Sequence, residues 1–255
     1  MLDYNHRSSC ADRINALVDG ALEAARGSTP PRCYLGGSRI GHACERALQF
    51  EFAGAPKDDG VDFDGRTLRI FEIGHALEDL AVRWLRAAGF DLYTRKGNRP
   101  DGEQFGFSVA GGRIRGHVDG IIAAAPEPLG LVVPALWECK TMNAKNWRET
   151  VTRGVVIAKP VYAAQIALYQ AYMDASVPGI AAGPALFTAI NKDTAELHHE
   201  LVPFDAGLAQ RMSDRAVRIL RATEAGELLP RCATTRDFHE CRMCPWADRC
   251  WGLPA

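Results

Sequence analysis

Apolar residues recur along the chain at two periods, and the alternation of the two sets the expectation for the fold. At residues 10–27, Ile14, Leu17, Val18, Ala21, Leu22 and Ala25 fall at helical intervals, closed by Gly27 and the Pro30-Pro31 pair, which predicts a helix. Ser38 is placed to cap a short helix after it. An acidic loop over residues 54–65 leads to a second long helix from Arg66 to Ala88. Leu77, Leu80, Ala81, Trp84, Leu85 and Ala88 share one of its faces, and Gly89 ends it.

Period two then takes over. Phe90 to Thr94, Gln104 to Ala110 and residues 113–122 read as strands, the last alternating first and then wholly apolar, as in a strand entering a core. Pro126, Pro128 and Gly130 turn the chain, and Leu131 to Trp137 supplies a partner strand. A helix opening at Pro160, strands over Ala185 to Ile190 and Glu196 to Val202, and a last helix capped by Asp205 and running to about Ala225 complete the pattern. The order predicts an α/β fold: a mixed central sheet flanked by helices over residues 66–204, with helical parts at 1–65 and 205–255, all in one integrated domain.

The candidate chemistry lies where the two middle strands meet. In a strand, side chains two apart share a face, so Glu138 and Lys140 point one way and Cys139 the other. With Asp119 on the neighbouring strand at the same level, two carboxylates and an ammonium converge. Carboxylates suit a hard divalent cation that keeps water and substrate phosphate as its other ligands. A lysine beside such an ion suits phosphodiester hydrolysis, where it orients or deprotonates water and offsets developing charge. An exposed hairpin with solvated charges would show the same triplet.

Asp119 followed by Glu138-Cys139-Lys140 resembles the PD-(D/E)xK nuclease superfamily. Gln165-Ile166-Ala167-Leu168-Tyr169 places Gln165 and Tyr169 on one helix face and resembles the Q-x-x-x-Y element of its RecB-like branch. Ile73-Gly74-His75 resembles that branch's helix histidine, although Gly74 abuts His75 and the spacing differs. The resemblance implies a divalent-metal-dependent deoxyribonuclease using magnesium or manganese and cutting at single-stranded DNA ends in recombination, repair or end processing, phage recombination included. Asp119, Glu138 and His75 would then hold the metal, Lys140 would activate water, and Gln165 and Tyr169 would support the site. An internally cutting endonuclease and a catalytically silent DNA-binding or assembly subunit are the alternatives.

Eight cysteines add a second candidate centre. Cys241, Cys244 and Cys250 lie within ten residues, and thiolates bind zinc or iron-sulfur clusters. Cys44, followed by Arg46, resembles the C-x-R segment of CRISPR-associated-type iron-sulfur exonucleases. That resemblance shifts the expectation from zinc to a 4Fe-4S cluster on Cys44, Cys241, Cys244 and Cys250, stapling the two ends of the chain. Cys232 is an alternative to Cys44, which would make the centre local to the C-terminus. Cys10, Cys33 and Cys139 have no assigned role.

Composition changes this picture little. The 255 residues are 47% hydrophobic and 24% charged, with a net charge of −1, which excludes binding of nucleic acid by bulk attraction alone. The expected DNA contacts are therefore local, at Lys145, Arg148, Arg153 and Lys159, where Glu149 is the one acid in the stretch. Arg211, Arg215, Arg218 and Arg221 form a second basic ridge, for phosphate or for solvent. The absence of an apolar run of membrane length and of a signal-like start leads to an expected cytoplasmic location. No phosphate-loop motif is present, so the expectation is that any helicase or recombination partner is a separate chain.

Overall fold

The computed structural model describes residues 9–28, 32–99 and 101–253; the Pro30-Pro31 break lies outside them. Among the described residues no helix is long and apolar enough to cross a membrane.

The core is a five-stranded mixed sheet in the order β2-β5-β6-β7-β8, made of Asp91–Tyr93, Gly120–Ala124, Ala135–Met142, Ala185–Asn191 and Leu197–Val202. β6 and β7 run parallel, from Trp137 opposite Leu186 to Met142 opposite Asn191, and the other pairs are antiparallel. A parallel pair needs a long crossover. Here the crossover is helical: α4 (Ala144–Arg153), α5 (Val155–Ala158) and α6 (Pro160–Met173). Asn143 caps α4 by accepting the Asn146 N–H, and Pro160 opens α6.

Strand alternation divides the sheet between two apolar layers. Ile122, Ala135, Trp137, Leu186 and Ile190 face Ala81, Val82 and Leu85 of the long helix α3 (Gly65–Ala87). Ile121, Leu136, Phe187, Ala189 and Val202 face α6 and α7 (Ala206–Glu224). α6 is buried over almost every residue from Ala163 to Gln170, because it lies between the sheet and α7 rather than on the surface.

The expected strand over 113–122 is two strands. Ile114–His117 is β4, the middle of a second sheet in the order β1-β4-β3 with Leu35–Gly36 and Gly106–Val109, whereas Gly120 starts β5 of the main sheet. The chain changes sheets at Val118-Asp119. The partner strand also starts later than its apolar run suggests, at Ala135, so Glu138 to Lys140 sit mid-strand.

The first helix, α1 (Cys10–Gly27), forms with a Ser9/Asp12 capping box, but none of its residues is buried, and Leu17 is 75% exposed. It is held to the start of α3 by polar contacts: Asp19 pairs with Arg69, and Glu23 accepts the Gly65 N–H at 2.8 Å. A Cβ on Gly65 would lie 2.4 Å from the Asp19 Cα, so glycine permits the crossing.

The C-terminal part of the chain packs on α2. α2 (Glu45–Phe52) packs on α7, where Arg215 and Arg218 of the basic ridge pair with Glu45. The segment after α7 carries the short helices α8 (His239–Arg242) and α9 (Ala247–Gly252) back to α2. Ser38 caps no helix; it lies in a 3-10 turn over Gly37–Arg39 that borders the cleft described next.

Candidate active site

At the point where the chain changes sheets lies a cleft of about 500 Å³, lined by His75, Glu78, Asp119, Lys140, Gln165 and Tyr169 among others. The bend after β4 delivers Asp119, β6 delivers Glu138 and Lys140, α3 delivers His75 and Glu78, and α6 delivers Gln165 and Tyr169. Asp119 is anchored across the strands, its Oδ2 accepting the Cys139 N–H at 2.8 Å. The Lys140 ammonium donates to Glu138 Oε1 and stands 3.7 Å from Asp119 Oδ2, so it bridges the two carboxylates. Gln165 Nε2 donates to the same Glu138 oxygen at 2.6 Å.

Glu138 is the unusual group. Its side chain is fully buried, and its second oxygen, Oε2, has no hydrogen-bond partner. A buried carboxylate without full compensation is costly. Burial, and after it the Asp119 charge, push its pKa up to about 8. Glu78 is half-buried and pushed up to about 7, again by burial first and Asp119 second. For Lys140, burial opposes the charged form, but Glu138 and Asp119 outweigh it and hold its pKa above the ordinary lysine value. The cleft floor thus gathers more carboxylate than its one ammonium balances.

Tyr169 is almost wholly buried, its pKa raised by burial first and then by Glu138, and its hydroxyl bonds Ser38. Its ring meets Phe107 edge-on at 5.2 Å between centroids, and a Cβ on Gly37 would lie 2.6 Å from it. Tyr169 therefore fixes the 3-10 turn at one wall, while Gln165, one helical turn earlier, holds Glu138.

His75 lines the cleft and is exposed. Glu78, one turn on, lies with His75 off the apolar face of the helix, as their sequence positions lead one to expect, and feels the charges of Asp119 and Lys140. The basic stretch behaves differently. Lys145, Arg148 and Arg153 stand on α4 and Lys159 just before α6, and the described lining of the cleft includes none of them. Lys159 and Arg153 both pair with Glu149, at 3.0 and 3.1 Å. The basic wall of the cleft is instead Arg32, Arg95, Arg115 and His117, drawn from separate segments. Arg32 and Arg115 both lie against the Tyr34 ring, at 5.9 and 5.2 Å from its centroid.

Cys44 and Cys250 are buried in one apolar cluster with Phe50 and Trp246, and Cys232 and Cys244 pack against it. Burial first, and then the neighbouring Cys44 and Cys241, raise the Cys232 pKa to about 12. Among the described residues, no group of three or more His, Cys, Asp or Glu side chains could hold a metal ion as the side chains stand. In the cleft the reason is visible: the Lys140 ammonium lies between the two carboxylates.

No curated protein matches the chain at the level of sequence. Among solved structures it is similar to the alkaline exonuclease LHK-Exo of Laribacter hongkongensis, 16% identical over 81% of this chain and 93% of that one, TM-score 0.49. The structure of LHK-Exo in complex with dAMP is 15% identical over 76% of this chain and 89% of that one, TM-score 0.50. SSO0001 is 14% identical over 95% and 98%, TM-score 0.48. At such identities a likeness speaks for the fold alone. The family described as the PD-(D/E)XK nuclease superfamily matches residues 16–251, nearly the whole chain around the cleft, and the chain belongs to that superfamily.

Proposed function

We propose that the chain is a divalent-metal-dependent deoxyribonuclease acting as an exonuclease on single-stranded DNA ends. One observation carries the reading: Glu138, in the middle of a core strand, is fully buried with Oε2 unpartnered beside Asp119 and Glu78. Hydrophobic replacement would be cheaper for folding alone, so the carboxylate fits a cation-binding role. The donors match magnesium or manganese in kind, being hard oxygens from Asp119 and Glu138, with Glu78 and His75 at the rim. When bound, such an ion supplies Lewis acidity and an activated water.

The chain's own groups do the rest. Gln165 and the Lys140 ammonium fix Glu138 Oε1 and leave Oε2 free to bind. The Asp119 bond to the strand N–H keeps that carboxylate at the same level. With a cation held by Asp119 and Glu138, Lys140 would no longer bridge them, and its ammonium would offset charge developing on the phosphate or position water. The cleft has the size of a small-molecule pocket, suited to an unpaired nucleotide rather than a duplex. Its basic wall fits phosphate, and DNA is the substrate this supports.

The cysteine centre belongs to the same proposal, as a 4Fe-4S cluster rather than zinc on Cys44, Cys241, Cys244 and Cys250, with a structural role. The sulfur donors fit in softness, and Cys44, Cys244 and Cys250 pack in one cluster. A cytoplasmic location and a separate helicase or recombination partner remain part of this reading.

The test is end-labelled single- and double-stranded DNA with manganese, comparing wild type, Lys140→Ala and added chelator, with circular single-stranded DNA alongside. Wild type is expected to release label from linear single strands, and both controls to lose about 100-fold or more. Cutting of the circle would make it an endonuclease. A metal-loaded preparation that cuts nothing would leave a silent DNA-binding subunit.

A further inference from the structure

The two edges of the main sheet are finished differently. β2 is short and carries a register shift between Asp91 and Leu92, features that blunt an edge against a further strand. β8 runs in unbroken register with β7, contains neither lysine nor proline, and among the described residues pairs with no strand on its outer side. The Asn191 N–H donates to the Glu196 carbonyl at 2.9 Å, so the hydrogen-bonded pairs of this ladder fall at His198 and Glu200. The backbone groups of Leu197, His199 and Leu201 therefore point to the free edge.

Apolar side chains flank that edge on both faces of the sheet. On the α3 face, Leu197 and Leu201 line a groove of about 510 Å³ with Trp84, Phe90, Leu129 and Leu131, and Leu197 is 42% exposed. On the other face, α5 is tied to β8 by the Val155 N–H, which donates to Glu200 Oε2 at 2.8 Å, and it leaves Val156 and Ile157 exposed.

We infer that the free edge of β8 is a self-association surface, on which a second copy of this chain pairs antiparallel about a twofold axis at His199. The stretch Leu197-His198-His199-Glu200-Leu201 is complementary to itself in that sense. Leu197 comes opposite the second copy's Leu201, and His198 opposite its Glu200, in both halves at once. His198 Nε2 has no hydrogen-bond partner among the described residues and stands 3.7 Å from Glu200 Oε2 of its own strand; the pairing sets a second carboxylate beside it. Every outward backbone group meets an outward group. A slip of two residues either way loses that match at one end and sets His198 against His198 or Glu200 against Glu200, so charge selects the register. The described lining of the cleft includes no residue of β8, so the pairing is independent of the reaction proposed there.

The test is the mass of the full chain by sedimentation over a concentration series, for wild type, Leu197→Lys and Leu201→Lys, together with oxidation of Leu197→Cys and Leu201→Cys chains. Wild type is expected to move from the mass of one chain to that of two. Either lysine substitution should weaken association about tenfold or more, because the axis counts each change twice. Leu197→Cys mixed with Leu201→Cys should form a disulfide joining positions 197 and 201 of two chains, identified in the linked peptides, and neither should link at that position alone.

Wild type that stays a single chain throughout would overturn the inference and leave the edge to a different occupant. So would a dimer whose mixed cysteine chains do not link, since another face would then hold it. Circular dichroism identifies a lysine variant that fails to fold, and the cysteine mixture, which replaces an exposed leucine by a smaller side chain, then decides.

Discussion

The acidic cleft gathers carboxylates and the cysteine site gathers thiols, and the two are built in opposite ways. In the cleft, Glu138 and Lys140 ride on β6, paired with β5 up to Trp137 and with β7 through Met142, so backbone register sets their position. In the cysteine site, Cys44 is held near the C-terminal thiols by a handful of side-chain bonds from α2 to residues 227–250. The first is a rigid scaffold holding groups that are costly to keep there. The second contains little regular structure, and a bound metal would stiffen it. On the proposed reading, the first serves function and the second stability.

The largest effect expected of any substitution follows from that division. Glu138→Gln should lower the rate of DNA cleavage about 10²- to 10³-fold, while the thermal midpoint changes little, because the amide keeps the shape of the carboxylate and Asp119 still faces the Lys140 ammonium. A comparable fall in stability would mean Glu138 is a structural group after all. Cys250→Ser should show the reverse. A crosslink over the roughly two hundred residues from Cys44 to Cys250 is worth about 3–5 kcal/mol, or about 10 °C in a chain of this size. Activity per folded molecule should hold at temperatures below that midpoint. Lost activity with an unshifted midpoint would break the comparison. Gln165→Ala comes next: it releases Glu138 without removing it, and the metal concentration for half-maximal activity should rise about tenfold.

The sequence made some of this legible and concealed the rest for physical reasons. Glu138 and Lys140 on one strand face, and Gln165 and Tyr169 on one helix face, follow from local periods, which depend on nothing distant. The sheet change at Val118-Asp119 does not: Ile114 and Ile121 are both buried, so one apolar run reads alike whether it enters one sheet or two. α1 shows the opposite failure, since its helical apolar spacing is real but Leu17 finds no core to enter. Tertiary contacts also place the two sets of basic groups differently. Density along the chain favours residues 140–159, yet there Glu149 is shared by Arg153 and Lys159, whereas Arg32, Arg95 and Arg115 converge on the cleft from positions too far apart to form a pattern.

That last contrast gives the smallest and most discriminating expectation. Arg115 is exposed on β4, its guanidinium over Tyr34 and its position on the cleft wall fixed by pairing with β3 and β1. Arg148 is exposed on α4, outside the described cleft lining. If Arg115 meets a phosphate of the bound strand, Arg115→Ala should weaken single-strand binding several-fold at low salt and reduce the slope of log affinity against log salt by about 0.7, the value for one single-strand phosphate contact. The cleavage rate at saturating DNA should be unchanged, because the group touches neither Glu138 nor Lys140. Arg148→Ala should leave the slope as in wild type. The opposite result, a slope that falls for Arg148 and not for Arg115, would move the DNA path off the cleft wall and onto α4, where the charge density of the sequence first suggested it.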